Sequence, residues 1–222
     1  MPGGFWFSDN DYEMRIQQIR ERDKAEFDGL VRVYEASLAA SERKSVAALL
    51  EMLARPEYVF LVVIEEERVV GFAVAMALIG SDAAQLEYMA VDAEFRRRGM
   101  GAELFGAVAE WQKFAGRFVL VEVDSEHEDS AEREQRARRK AFYRRVGARE
   151  LGGLRYVMPA VTAATPPLME LMVYRRELPE CIEKERVRGW LEAYYAQVYG
   201  VAAGDGRIDA MVDGCAECIP LG

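Results

Sequence analysis

Three consecutive arginines, Arg96, Arg97 and Arg98, stand directly in front of Gly99-Met100-Gly101-Ala102. The apolar stretch LEYMAVD precedes them, and Leu104, Ala107, Val108 and Trp111 follow at helical spacing. A helix N-terminus presents unpaired backbone N–H groups and a partial positive charge. Glycines let an anion approach that backbone closely. Strand, arginines, glycines and helix together compose a phosphate site; the bland alternative is a solvated basic turn. The chain as a whole is acidic, with 29 Lys and Arg against 38 Asp and Glu, so a local run of three arginines calls for an anion.

The kind of phosphate site is narrowed by spacing. The P-loop pattern G-x-x-x-x-G-K-S/T is absent. The dinucleotide pattern G-x-G-x-x-G is incomplete, because Leu104 stands where its last glycine would fall. Three expected antiparallel strands also precede the glycines, whereas a dinucleotide fold places its glycine turn early in a parallel sheet. What remains, Arg96-Arg97-Arg98-Gly99-Met100-Gly101-Ala102, resembles the R/Q-x-x-G-x-G/A acyl-CoA signature of the GNAT superfamily of N-acyltransferases. Met89-Ala90-Val91 is similar to the strand which that family sets against the pantetheine arm. Ala141-Phe142-Tyr143-Arg144-Arg145-Val146-Gly147-Ala148 resembles its A-x-x-F-Y-x-x-x-G-F motif, with Ala148 in place of the common Phe. The resemblance spans roughly residues 14 to 175.

The resemblance implies a mixed α/β fold with a mostly antiparallel central sheet flanked by helices, and an appended C-terminal helix. It implies acetyl-CoA as co-substrate, held by Met89, Ala90, Val91, Arg96, Arg97, Arg98, Gly99, Met100, Gly101, Ala102 and Phe142. It implies direct transfer to a primary amine of a small molecule, or to a protein N-terminus or lysine, with both ligands bound together. Tyr143 then stands where related enzymes place the general acid for the departing thiolate, and an ordinary phenol titrates near 10; its other reading is a packing aromatic. A backbone N–H near Met89–Val91, freed by a strand bulge, is the implied oxyanion donor. Two carboxylates compete for the base: Glu122, at the position used by the family's ribosomal-protein alanine acetyltransferases, and Glu87, where other members place one. A water chain is a third route, and an exposed or ion-paired carboxylate is the plain reading of either residue. Arg136 replaces the Asn that those alanine acetyltransferases carry seven residues before the tyrosine. The segment before Tyr143 is also longer than usual and intensely charged.

The surrounding elements follow from periodicity. MRIQQIRE reads as a half-buried strand. Asp23 is placed to cap a helix with Phe27, Leu30, Val31, Tyr34 and Leu38 on its apolar stripe. A second helix is expected from about Ser41 to Ala54, with Leu49, Leu50 and Leu53 inward and Pro56 after its end. VFLVVIEEE and RVVGFAVAMAL read as strands joined at Glu65–Arg68, and AQLEYMAVD and RFVLVEVDS as two more. A helix begins near Ala131 and ends at Gly147. GLRYVMPAVTAATPPLME reads as an excursion facing substrate, with Tyr156 and Glu170 as pocket candidates. LMELMVYRR is a last strand and ECIEKERVRGWLEAYYAQVYG a C-terminal helix; the tail after Gly200 has no clear period. The expected division is a GNAT domain over 12–176 and a C-terminal helix and tail over 177–222, packing on the domain or on a partner.

Composition sets the outer bounds. The chain has 222 residues, 51% of them hydrophobic, which suits one well-buried globular domain with an appendage. The net charge of −9 argues against nucleic acid and anionic membranes as partners. The opening has neither the basic nor the apolar region of a signal peptide, and no run reaches membrane-spanning length. Cys215-Ala-Glu-Cys218 has the spacing of half a zinc site or a redox pair. No second pair accompanies it and the one histidine, His127, is remote, so no metal is expected. The low cysteine count suits a reducing cytoplasm. A homodimer through Trp190, Leu191, Tyr194, Tyr195 and Tyr199 is one use of the C-terminal helix; capping the chain's own core is the other. The competing functional class is a non-enzymatic acyl-CoA-binding or interaction module on the same fold.

Overall fold

The computed structural model describes residues 4–7, 14–128, 131–159 and 168–222. The chain divides into two compact units, Met1–Ala77 with Leu86–Ala115, and Leu78–Gln85 with Gly116–Gly222. Together they carry a mixed α/β fold of largely antiparallel strands flanked by helices, as the sequence predicts.

The first unit holds β1 (Gly4–Phe7), β2 (Met14–Ile19), α1 (Lys24–Ser37), α2 (Val46–Ala54), β3 (Tyr58–Glu65) and β4 (Arg68–Ala77), with most of β5 (Ala83–Val91) and all of α3 (Met100–Glu110). Its strand order is β1, β2, β3, β4, β5. β3 is buried along its whole length, as is β4 after Arg68. Continuous apolar runs are what a strand covered on both faces requires; α2 and α3 pack on β3, and α1 and α3 on β4. Gly29 of α1 sits so close to Val69 that a Cβ there would lie 2.8 Å from its side chain. The β3–β4 hairpin turns on Glu66 and Glu67, both at positive φ (48° and 60°). A two-residue hairpin imposes that geometry, which is why glycine or asparagine is its usual occupant.

Three local expectations shift. Asp23 precedes α1, but its carboxylate accepts from the Arg20 amide at 2.9 Å instead of capping the helix. The stripe of α1 is Phe27, Leu30, Val33 and Tyr34, so Val33 and not Val31 faces inward. The second helix starts later than expected, at Val46, with Ser45 as its cap accepting from Ala48 N. Leu49 and Met52 are its buried residues, and Leu50 is exposed.

The second unit holds the start of β5, then β6 (Phe118–Asp124), α4 (Arg133–Arg145), β7 (Arg149–Glu150), β8 (Met169–Tyr174), β9 (Cys181–Glu183), α5 (Lys184–Tyr199), α6 (Gly206–Val212) and β10 (Cys218–Pro220). β8 lies between β6 and β7, antiparallel to both, with Glu122 opposite Leu171. Gly147, at φ 100°, ends α4 in the conformation that favours glycine. The tail after Gly200, which shows no period in the sequence, forms α6 and then β10. β10 pairs with β9, and Cys218 is disulfide-bonded to Cys181 with Cα atoms 5.4 Å apart. The Cys215/Cys218 pair of the sequence reading is thereby corrected: Cys215 is a separate, buried thiol, which burial pushes above its ordinary pKa. Trp190, Leu191, Tyr194 and Tyr195 are buried in the chain, and Trp190 Nε1 donates to Asp82 at 2.7 Å. That removes them as a dimer surface. No helix among the described residues is long and apolar enough to cross a membrane.

Candidate functional site

The glycine turn lies in the first unit. A short 3-10 turn at Ala93–Phe95 ends β5, and Gly99 opens α3 at φ 82°, a left-handed conformation that suits glycine. The first helical bonds run from the Ala102 and Glu103 amides to Gly99 O, at 2.9 and 3.2 Å. The helix therefore provides no partner for the amides of Met100 and Gly101. A Cβ at Gly99 would meet only Glu103 Oε1, at 4.0 Å. Open backbone and unsatisfied donors are what a phosphate requires.

The three arginines differ. Arg96 Nε donates to Val91 O at 3.0 Å, tying the turn to the end of β5. Arg98 reaches both oxygens of the buried Glu65 carboxylate at 3.4 Å and lies over the Phe95 ring. Arg97, at φ 68°, is exposed and makes no hydrogen bond or ion pair with the described residues. One arginine builds the turn, one is held by an internal carboxylate, and one is left to meet solvent or an anion.

Met89, Ala90 and Val91 are half-buried at the end of β5. Ala90 O would lie 3.2 Å from a Cβ at Gly71, so the two strands approach closely there. The β3–β4 pairing carries a register irregularity, where Val63 faces Gly71 and Ile64 faces Val69. Val70, skipped between them, accepts from the Asp92 amide at 2.8 Å. Glu87 is also on β5, and its side chain is only 4% exposed. Tyr58 donates to its Oε1 at 2.6 Å and Lys44 Nζ to its Oε2 at 3.2 Å. Burial first, then the Glu87 charge, pushes the Tyr58 phenol well above its ordinary pKa.

The second unit holds the other candidates. Tyr143 lies on α4, buried and edge-on to Phe142 with centroids 5.1 Å apart. Burial pushes its phenol up to about 12, so it remains a proton donor throughout the neutral range. Glu122 is half-buried on β6, and three phenols converge on it. Tyr156 donates to Oε1 and Tyr194 to Oε2, and Tyr199 lies 3.1 and 3.0 Å from the two oxygens. Burial, then the Glu122 charge, pushes Tyr156 and Tyr194 well above the usual phenol range. Of the excursion expected to face substrate, residues 160–167 lie outside the described residues. Glu170, its second pocket candidate, is instead fixed by Ser125 at 2.7 Å and by the buried Lys140. Burial opposes ionisation of Glu170, but the hydrogen bond and charge of Lys140 outweigh it and hold its carboxyl below the usual range. Arg136 is paired with Glu128 and Glu132. His127 donates its backbone N–H to Ser125 Oγ at 3.2 Å.

Sequence reasoning named Glu122 and Tyr156 but not their contact, and placed Tyr194 and Tyr199 in a dimer surface or core cap. The available signal was chemical: a buried tyrosine hydroxyl needs a hydrogen-bond partner.

A largely antiparallel sheet and a glycine-opened helix define a mixed α/β domain. Comparison narrows the kind: residues 56–147 match the family model for the acetyltransferase (GNAT) domain. Among solved structures, an acetyltransferase described as of the GNAT family from Bacteroides thetaiotaomicron is 22% identical, with a TM-score of 0.67 over 85% of this chain and 99% of that one. An aminoglycoside 6′-N-acetyltransferase complexed with coenzyme A is 16% identical, with a TM-score of 0.59 over 74% and 98%. A ribosomal-protein-alanine N-acetyltransferase from Escherichia coli is 17% identical, with a TM-score of 0.54 over 75% and 96%. These likenesses establish a shared fold. No curated protein matches the chain by sequence.

Proposed function

We propose that the chain is an acetyl-CoA-dependent N-acetyltransferase that acylates a primary amine by direct transfer. The observation that carries this reading is the opening of α3: a left-handed Gly99, the Met100 and Gly101 amides without helical partners, and an unengaged Arg97. Those groups fit a pyrophosphate. Ala102, and Met89, Ala90 and Val91 at the end of β5, are assigned to the same ligand, as is Phe142. Arg96 and Arg98 shape the turn through Val91 O and Glu65. Bound acetyl-CoA supplies an acyl thioester whose carbonyl is open to a nucleophile.

The chain's own residues then manage protons. Tyr143, kept neutral by burial, is assigned as the acid that protonates the thiolate. Glu122 is assigned as the base that receives the ammonium proton. Glu87 is assigned a structural role, since it is buried in an ion pair with Lys44. The acceptor class is a primary amine. Fold relatives described as acting on aminoglycosides and on a ribosomal-protein alanine support that breadth. A non-enzymatic acyl-CoA-binding module is the alternative, supported only by the cradle.

The test is the thermal midpoint with and without saturating acetyl-CoA, on wild type and Gly101→Glu, followed by CoA-thiol release with primary amines. At a hundred times its Kd a ligand adds about 2.7 kcal/mol to the folded state. A wild-type shift that the folded variant lacks upholds the cradle; no wild-type shift removes it. A shift without thiol release leaves the binding module.

A further inference from the structure

A carboxylate offers about four lone-pair positions. At Glu122, Tyr156 occupies one on Oε1, Tyr194 one on Oε2, and Tyr199 is shared between both oxygens at 3.1 and 3.0 Å. An amine cannot add a hydrogen bond there without displacing a phenol. Tyr156 and Tyr194 are buried, whereas Tyr199 is half-buried. Tyr199 is the last residue of α5, before Gly200 turns the chain at φ 66°. Its ring stands edge-on to Tyr194 and Tyr195, with centroids 5.4 and 6.1 Å away, so its hydroxyl is held toward Glu122. A phenol both accepts and donates, which neither a lysine nor a carboxylate does in its charged form.

We infer that Tyr199 is a catalytic residue that carries the proton of the acceptor ammonium to Glu122. This rests on the reading of Glu122 as the base. The ammonium N–H breaks as its proton passes to Tyr199 Oη, while the O–H of Tyr199 breaks as its proton passes to a Glu122 oxygen. One proton moves from nitrogen to carboxylate, the nitrogen keeps its electron pair for the thioester, and the phenol is regenerated. Tyr156 and Tyr194 are positioning residues that fix the carboxylate. The segment after residue 177 thus becomes part of the acceptor site.

The test uses the full chain, acetyl-CoA, and spermidine, kanamycin and an alanine-initiated peptide as acceptors, with CoA-thiol release as readout. Variants are Tyr199→Phe, Glu122→Gln, their combination, and Tyr195→Phe, whose hydroxyl donates to Val157 O. The acetyl-CoA thermal shift checks that each is folded. Tyr199→Phe and Glu122→Gln are each expected to lower plateau kcat about 10²-fold. The double variant should fall no further than the lower single, because the two act as one unit. Tyr195→Phe should stay within about twofold, as expected of a group outside the relay. Loss in Glu122→Gln with full kcat in Tyr199→Phe overturns the relay and leaves Glu122 as a base met directly. Additive losses also overturn it. Full kcat in Glu122→Gln removes the base reading and the relay together, as does the absence of thiol release with all three amines.

Discussion

Glu87 and Glu122 are the same residue type on adjacent-numbered strands, β5 and β6, and each takes a tyrosine hydroxyl. Their surroundings part at the second partner. Glu87 is buried against an ammonium, Lys44, whose Cβ-to-Nζ stem also brings the charge over the Tyr88 ring at 5.5 Å. Glu122 is half-buried and surrounded by phenols. A lysine in an ion pair must keep its proton to remain paired, and so cannot pass one on. A phenol is neutral, and can hand its proton over and take another. Under the proposed roles the same side chain is a strut in one unit and a proton acceptor in the other, and the contrast lies in donor chemistry more than in depth.

The comparison breaks most visibly at the carboxylates themselves. Glu122→Gln should lower kcat by about 10²–10⁴-fold, the range of lost general-base catalysis. Glu87→Gln should keep kcat within a few-fold but lower stability by about 1–3 kcal/mol, because Lys44 loses its counter-charge in a half-buried site. Amine turnover and urea unfolding on both variants decide it. Large kcat loss in Glu87→Gln with turnover intact in Glu122→Gln would exchange the two roles.

The Glu87 region was partly legible in the sequence and the Glu122 cluster was not. Strands β3 to β6 announce themselves by composition, and the Gly99 turn by a left-handed position that only local sequence needs to satisfy. Tyr156, Tyr194 and Tyr199 reach one carboxylate from positions up to 77 residues apart in the chain. In a one-dimensional pattern, aromatic residues on a helix read as core. The helix stripes went astray by phase: Val31 and Val33 are both apolar, and only packing chooses between them. Cys215 and Cys218 misled through nearness in sequence, whereas the β9–β10 pairing sets Cys218 opposite Glu183 and beside Cys181.

That disulfide sharpens the comparison at the next scale. It closes a loop of 37 residues that contains α5 and α6, and so Tyr194 and Tyr199. Cys218→Ser should cost about 2–4 kcal/mol. Hydrogen exchange should rise in α5 and α6 while β3 and β4 keep their protection. Unfolded, unreduced wild type should titrate a single thiol, Cys215. Three titrating thiols would remove the link, and equal loosening of β3 would remove its assignment to the Glu122 side alone.

The smallest effect lies in alkaline stability. Tyr58 beside Glu87, and Tyr156 and Tyr194 beside Glu122, all have phenols raised in the folded chain. A raised phenol contributes stability that is fully present below the unfolded value near 10 and is lost as pH climbs toward the folded value. Each such group makes unfolding easier by about half a proton's worth per pH unit at pH 10, approaching about 1.4 kcal/mol per pH unit, one proton's worth, by pH 11. Tyr58→Phe should remove one share of that slope and the Tyr156→Phe, Tyr194→Phe double variant two. The slope of unfolding free energy against pH is read by urea titration between about pH 10 and 11, just above the unfolded value. It is informative even where the variants differ in absolute stability. Equal slopes for the single and double variants would mean that Glu122 holds one phenol, as Glu87 does, and the contrast between the two carboxylates would narrow to Lys44 alone.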